Sequence, residues 1–581
     1  MSRKRSKELA IPKWRYYLVL LLLLCLPFAA VWHIASLQVV SSADRGYQFL
    51  QGQGDARMVR TESIPAYRGV ITDRRGEPLA VSTPVVSIAA DPSSLDAGDR
   101  RLAELAGLLD LDYQHLLERL NRYRNKEFMY LARHLTPAEA ADVIALGIKG
   151  IRALPEYKRF YPAGEVTAQL VGFTNVDDQG QEGIELAYEK ALSGKPGAKR
   201  VVKDRRGQVI KDIGLIESEK PGTDVALSID LRLQYLAYRE LKDAVKRFKA
   251  ESGSVVMLDV QTGEVLAMVN QPSYNPNNRI GLSTNALRNR AITDLIEPGS
   301  TMKPLTMAAA LESGKFTPHT PIETAPGYIW AAGKTFQDHS NYGLLDLTGI
   351  LTKSSQVGTT KVALELEPDY IRDMFYRLGI GQPPGTGFPG ESPGYLPERR
   401  KWRPIEHITM AFGYGLSATP LQVARAYATI ANDGRLKPVS LLRVRNAPEG
   451  EQVLDPDIAR QLREMLITVT QKGGTATRAA IAGYTVAGKT GTSHKVGPNG
   501  YEPNRYVGLF AGMVPADNPR LVTVVVINDP RGEDYFGGLV AAPVYARVTA
   551  DALRLLRVPP DTAPASQLAE QGDYPQEGDR S

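Results

Sequence analysis

Between residues 16 and 37 the chain carries no formal charge. A run of about 20 apolar residues spans a bilayer as a helix, because every backbone polar group there must be satisfied within the segment. The run therefore predicts one transmembrane anchor over residues 16–38. Trp14, Tyr16 and Tyr17 flank one end and Trp32 lies near the other, where aromatic rings favour the membrane–water boundary. Pro27 and His33 weaken the span. Arg3, Lys4, Arg5, Lys7, Lys13 and Arg15 precede it, opposed only by Glu8. That asymmetry favours a cytoplasmic N-terminus, residues 1–15, with nearly everything else exported. A cleaved signal peptide would have a shorter apolar region ending in a small-residue site, and no clean site is present. An uncleaved anchor is expected.

The same basic cluster accounts for five of the six net positive charges of the 581 residues. The remainder is close to neutral and shows no basic stripe of the kind that tracks phosphates, so nucleic acid is not an expected partner. The single Cys, Cys25, falls inside the span. The exported part then has no thiol, which excludes an internal disulfide framework and suits an oxidising compartment. The seven His are scattered without ligand spacing, so neither a metal nor a cofactor is expected.

Residues 39–221 read as an extended α+β module, with amphipathic helices over 99–120 and 137–146. Two charged turns, Arg74-Arg75-Gly76 and Arg205-Arg206-Gly207, each adjoin a β-branched run and read as hairpins. At Pro221-Gly222 the texture changes. Residues 224–228 read as a short strand, and Asp230 as the cap of a helix bearing Leu233, Leu236, Ala237, Leu241 and Val245. Two buried strands follow at 254–259 and 265–269, two more lie far downstream at 508–514 and 521–527, and a helix closes at 540–556. The sheet of residues 222–558 is thus expected to be assembled from both ends of its sequence around a helical middle. Residues 559–581 are polar and Pro-rich and read as a disordered tail.

Three short motifs carry the chemistry. In Glu297-Pro-Gly-Ser-Thr-Met-Lys-Pro304 the chain breaks at Pro298-Gly299. Pro304 is tolerated only in a first turn, so a helix should begin near Ser300. Lys303 then lies one turn on, where its amine can reach the Ser300 hydroxyl and activate a weak nucleophile, provided burial lowers its pKa. Lys353-Ser-Ser-Gln-Val-Gly358 is the second motif. The third is Ala487-Gly-Lys-Thr-Gly-Thr-Ser493, on a strand-like stretch in which Gly491 allows a ligand to approach the backbone closely. Each is weak alone; Ser-x-x-Lys, Ser-x-Gln and Lys-Thr-Gly in this order form one pattern.

The chain resembles the class B penicillin-binding proteins, most of all the division-specific type of Gram-negative bacteria. Further matching residues are Arg68-Gly-Val-Ile-Thr-Asp-Arg74, Arg159-Phe-Tyr-Pro-Ala-Gly164, Gly183-Ile-Glu-Leu186, Tyr274-Asn-Pro-Asn-Asn278, Gly413-Tyr-Gly-Leu416, Tyr535-Phe-Gly-Gly538 and Ala542-Pro543. The resemblance implies an α+β protein: anchor, non-catalytic pedestal or dimerisation-type domain, then a transpeptidase domain with an antiparallel five-stranded sheet and an all-helical subdomain. It implies a serine D,D-transpeptidase of the bacterial inner membrane, with its catalytic domain in the periplasm. Ser300 would form an acyl-enzyme with the D-Ala-D-Ala end of a peptidoglycan stem peptide. Lys303 would be its base, and Ser354 would pass the proton to the leaving D-Ala. Lys489 would keep the site positive, and Thr490 and Thr492 would bind the substrate carboxylate. The backbone N–H groups of Ser300 and Thr492 would form the oxyanion hole, and Tyr535 and Phe536 would wall the cleft. β-Lactams would trap Ser300. A glycan-polymerising SEDS-family glycosyltransferase and other divisome membrane proteins would be partners.

One departure stands out. The family has Ser-x-Asn where this chain has Ser354-Ser355-Gln356. Gln keeps the amide but moves it by about one C–C bond, ~1.5 Å, and this puts the family's substrate contact and Lys303-orienting role at Gln356 in question. A silent divisome scaffold, an elongation-type transpeptidase and a hydrolase using the same acyl-enzyme remain as alternatives; no well-placed Glu base for water is evident.

Overall fold

The computed structural model describes residues 12–38, 59–203, 209–497 and 500–562. Most of the basic N-terminal cluster, residues 204–208 with the turn expected at Arg205-Arg206-Gly207, and the polar tail from 563 onward lie outside the described residues.

The apolar run is a single helix, Lys13–Gln38, with Pro27 inside it. Within Lys13–Ser36 an 18-residue window reaches a mean hydropathy of 2.5 and none of that window is buried in protein. It is long and apolar enough to cross a membrane.

The rest forms two compact units. The first comprises residues 59–66, Pro84–Tyr157 and Gly194–Pro221. It holds a three-stranded antiparallel sheet of Val59–Ile64, Gly197–Lys203 and Val209–Glu217. A separate core of Ile88, Leu102, Leu105, Leu116, Leu120, Leu131 and Val143 joins its helices to strand Met129–Leu135. The amphipathic stretch 99–120 resolves into two helices, Arg101–Leu108 and Tyr113–Arg122. Asp110 breaks the pattern with a φ of 52°, and Asp112 then caps the second helix by accepting from His115 N at 2.7 Å.

The second unit comprises Tyr67–Thr83, Lys158–Ser193 and the chain from Gly222. The first two segments belong, in the sequence reading, to the 39–221 module. Long-range pairing accounts for their placement. Val225–Ala226 runs parallel to Ile71–Thr72, and Arg68, Arg159 and Glu185 are buried together.

Asp230 caps the helix α1, Leu231–Arg247, as its position predicts. Strands β1 (Ser252–Asp259) and β2 (Val265–Gln271) are buried along their whole length, and each carries an apolar run, 255–258 and 265–269, that marks it in the sequence. They join β3 (Ala487–Gly497), β4 (Gly500–Val514) and β5 (Leu521–Asn528) in an antiparallel sheet of order β2-β1-β5-β4-β3. The two ends of the unit's sequence meet where Val255 lies opposite Val525. Strand β3, which carries Lys-Thr-Gly, is an edge. Helix α2 (Lys303–Glu312), α3 (Leu347–Lys353) and α4 (Gln356–Leu364) lie in the helical middle, among short antiparallel pairs such as Tyr328–Ala331 with Lys334–Gln337. The closing helix α5, Ala542–Leu555, packs on α1.

Candidate active site

The α-helix of the first motif begins at Lys303, three residues later than expected, because Gly299–Met302 forms a tighter 3₁₀ turn. Pro304 still falls in the first turn, where its missing N–H costs no hydrogen bond. Gly299 takes a φ of 56°, and its N–H donates to Gly413 O at 3.1 Å. The turn is packed closely: a Cβ on Gly413 would lie 2.2 Å from Gly299 O. Gly491 serves the same packing. A Cβ there would lie 2.7 Å from Pro298 O, so its bare backbone admits the Ser300 turn, whereas the sequence suggests room for a ligand.

Lys303 is fully buried. Its Nζ donates to Ser354 O at 2.6 Å, Ser355 O at 3.2 Å and Ser354 Oγ at 3.3 Å. Ser300 stands on the cavity wall at the preceding turn. Ser354 ends α3 in the left-handed region, φ 56° and ψ 37°, which turns its hydroxyl toward both lysines. Lys489, also fully buried, donates to that Oγ at 2.9 Å. One hydroxyl oxygen thus receives two amines. Burial lowers the Lys303 pKa to about 7, partly opposed by Asp338. Burial, reinforced by the charge on Lys303, puts Lys489 well below its ordinary value. Like charges this close do not both stay protonated without cost.

Asp338 is a residue that sequence reasoning missed. Its carboxylate accepts from Ser355 Oγ at 2.5 Å, Gln356 N at 2.5 Å and Val357 N at 3.1 Å. It anchors the start of α4 and with it the carbonyls that hold Lys303. A lone Asp after a four-residue strand carries no local signal of this. Gln356 is the first residue of α4 and lines the cavity; the hydrogen bonds of the Lys303 amine go to its two predecessors.

The cavity has a volume of about 580 Å³. Ser300, Ser354, Gln356, Thr490, Thr492 and the Tyr535–Phe536 pair all line it. Lys303 and Lys489 lie beneath its wall. Thr492 Oγ1 accepts from Gly537 N at 3.0 Å, which leaves its O–H free to donate. Thr490 Oγ1 lies 2.8 Å from Thr475 Oγ1. Tyr535 stacks on Tyr506 at 4.0 Å and meets Phe536 at 4.4 Å. Tyr506, far from any motif, completes this wall.

The comparisons agree with this geometry. The family model of the penicillin binding protein transpeptidase domain matches residues 253–550, and that of the penicillin-binding protein dimerisation domain matches residues 63–227. A probable peptidoglycan D,D-transpeptidase PbpC of Pseudomonas aeruginosa is 46% identical over 94% of this chain and 96% of its own. The peptidoglycan D,D-transpeptidase FtsI of Escherichia coli K12 is 45% identical over 96% of this chain and 95% of its own. Among solved structures, the transpeptidase domain of Burkholderia pseudomallei penicillin-binding protein 3 is 42% identical, with a TM-score of 0.54, covering 58% of this chain and 98% of that one. With matches over both of its units and nearly its full length, the chain belongs to the class B penicillin-binding proteins.

Proposed function

We propose that the chain cross-links peptidoglycan stem peptides at the division septum, as a single-pass inner-membrane enzyme whose second unit works in the periplasm. The observation that carries the reaction is the pair of buried amines on one hydroxyl, Ser354 Oγ. An amine with a pKa near 7 is in large part a free base at neutral pH.

Ser300 Oγ attacks the carbonyl of the D-Ala-D-Ala bond and gives its proton to Lys303. The backbone N–H groups of Ser300 and Thr492 hold the oxyanion; such donors are worth ~3–4 kcal/mol each. The proton passes through Ser354 to the amine of the departing D-Ala, the C–N bond breaks, and Ser300 is left as an ester. An amine of a second stem peptide then attacks the ester, forms the cross-link and returns the proton to Ser300. Lys489 keeps the potential positive. Thr490 and Thr492 donate to the donor's terminal carboxylate, Gln356 contacts its peptide backbone, and Tyr535 and Phe536 wall the cleft. A β-lactam follows the first step and stalls at the ester. The apolar helix and the module of residues 40–220 are the surfaces for a SEDS-family glycosyltransferase and other divisome membrane proteins.

The test is covalent labelling of the full chain in detergent by a fluorescent penicillin, beside Ser300→Ala. Labelling of the native chain alone supports the reading. Absence of labelling in a folded native chain sinks it and leaves the silent scaffold.

A further inference from the structure

Glu297 immediately precedes the Pro298-Gly299 break, and its role is not explained by the proton path. Its carboxylate Oε1 accepts from Gly415 N at 2.9 Å and from Tyr501 OH at 3.1 Å. Its carbonyl accepts from Ser493 Oγ at 2.7 Å. Three separate pieces therefore converge on one residue: the Ser300 turn, the Gly413–Gly415 loop, and the β3–β4 hairpin that carries Tyr501. The same pieces touch around it. Gly299 N donates to Gly413 O, and Tyr414 OH donates to Thr492 O at 3.3 Å. Tyr414 and Tyr501 meet edge to face at 6.1 Å.

The arrangement costs stability. Glu297 Oε2 is buried with no hydrogen-bond partner, and burial pushes the carboxyl pKa up, opposed by the bonds from Gly415 and Tyr501. A carboxylate oxygen left buried and unpaired is destabilising even where the other oxygen is accessible, so a structural account alone gives little reason for an acid here. A position between the two halves of the oxyanion hole gives one. Ser300 lies three residues after Glu297, and Thr492 adjoins the Ser493 hydroxyl that Glu297 holds.

We propose that Glu297 is a positioning residue that fixes the spacing between the backbone N–H groups of Ser300 and Thr492 by tying the nucleophile turn to the Gly413–Gly415 loop and to the Tyr501 hairpin. This rests on the transpeptidase reading above and adds a residue to it. Glu297 does not move a proton; it decides whether two donors converge on one oxygen. A misplacement of about 1 Å in such a site costs ~100-fold in rate.

The test separates binding from chemistry in penicillin acylation of the full chain, by measuring the apparent affinity and the first-order acylation rate for Glu297→Ala, Glu297→Gln and Tyr501→Phe. Glu297→Ala is expected to lower the acylation rate ~100-fold with little change in affinity. Glu297→Gln keeps the Oε1 acceptor for both donors and is expected to restore most of that rate. Tyr501→Phe removes one hydrogen bond from an otherwise unchanged ring and is expected to lower the rate about five-fold. Should Glu297→Ala fail to fold, Tyr501→Phe and Glu297→Gln still decide. An acylation rate unchanged in Tyr501→Phe, or one lowered ~100-fold in Glu297→Gln, would overturn the proposal while the native chain still labels. No labelling of the native chain would instead overturn the transpeptidase reading itself.

Discussion

Two clusters of buried charge lie in the second unit, and they follow opposite rules. In the first, Glu185 is held between two arginines. Its Oε2 lies 2.6 Å from Arg68 Nε and its Oε1 lies 2.7 Å from Arg159 Nε. The guanidinium groups are used further: Arg68 Nη2 donates to Glu185 O and Arg159 Nη2 to Gly69 O, each at 2.7 Å. Burial pulls the Arg68 pKa down, but Glu185 and Glu189 more than offset it, and the net shift is upward. In the second cluster, Lys303 and Lys489 share a hydroxyl, and burial moves both pKa values down. Asp338 is near, but its oxygens are engaged by Ser355 and the start of α4. Opposite charges with saturated hydrogen bonds make a joint that holds the charged form. Like charges without a carboxylate in contact favour the neutral amine, the form a base requires.

The largest break in this contrast should come from Lys303→Met. Loss of the base is expected to slow penicillin acylation by about 10⁴-fold. The melting temperature should hold or rise, because Met occupies much of the same stem without a buried cation. A large loss of stability would place Lys303 with the structural cluster instead. The pH dependence sharpens the point. In the native chain acylation should fall about tenfold per unit below pH 7 and level off above it. For stability, the folded chain binds this proton less readily than the unfolded one. Between pH 7 and the ordinary lysine value of 10.5 the Lys303 contribution therefore rises with pH, and below pH 7 it is destabilising in full. Denaturant titrations at several pH values should show that slope reduced in Lys303→Met.

Next in size is Glu185→Ala. It leaves Arg159 buried without its acid and Arg68 with Glu189 alone, a change that costs ~3–5 kcal/mol. Denaturation midpoints should drop accordingly, while the fraction still folded acylates at the native rate. Slow acylation in that folded fraction would mean the joint and the chemistry are not separate.

The two clusters are also unequally legible in the sequence. Ser300, Lys303, Ser354 and Lys489 announce themselves through short spacings on single elements, and the structure brings all four together. Arg68, Arg159 and Glu185 each stand in a recognisable motif, yet their mutual pairing spans up to 117 residues and no local pattern encodes it. For that reason Tyr67–Thr83 and Lys158–Ser193 read as part of the module before residue 222, while their packing joins them to the chain after it. Strands β1, β2 and β5 are readable because complete or near-complete burial leaves a mostly apolar run. Asp338, Glu297 and Tyr506 are not, since a single polar or aromatic residue in a loop or long strand looks the same whether it faces water or a cavity. The start of α2 reads one turn too early because proline fixes where a helix can begin but does not distinguish a 3₁₀ turn ahead of it.

Gln356→Asn tests the boundary of the second cluster, and its expected effect is the smallest. The change shortens the side chain by one methylene and retracts the amide ~1.5 Å. Were that amide orienting Lys303, a loss or gain on the order of 100-fold would follow. The backbone argues for less. Gln356 N is tied to Asp338 Oδ1, and the Lys303 amine is held by Ser354 and Ser355, all of which stay in place when only the end of the side chain changes. The substitution should therefore alter apparent penicillin affinity by less than about tenfold, leave the acylation rate near native, and leave its pH midpoint near 7. A shifted midpoint would show that the amide senses the lysine charge, and would make Gln356 a member of the like-charge cluster. A midpoint that holds while affinity moves makes it a substrate contact, lying outside the pair of amines on Ser354 Oγ.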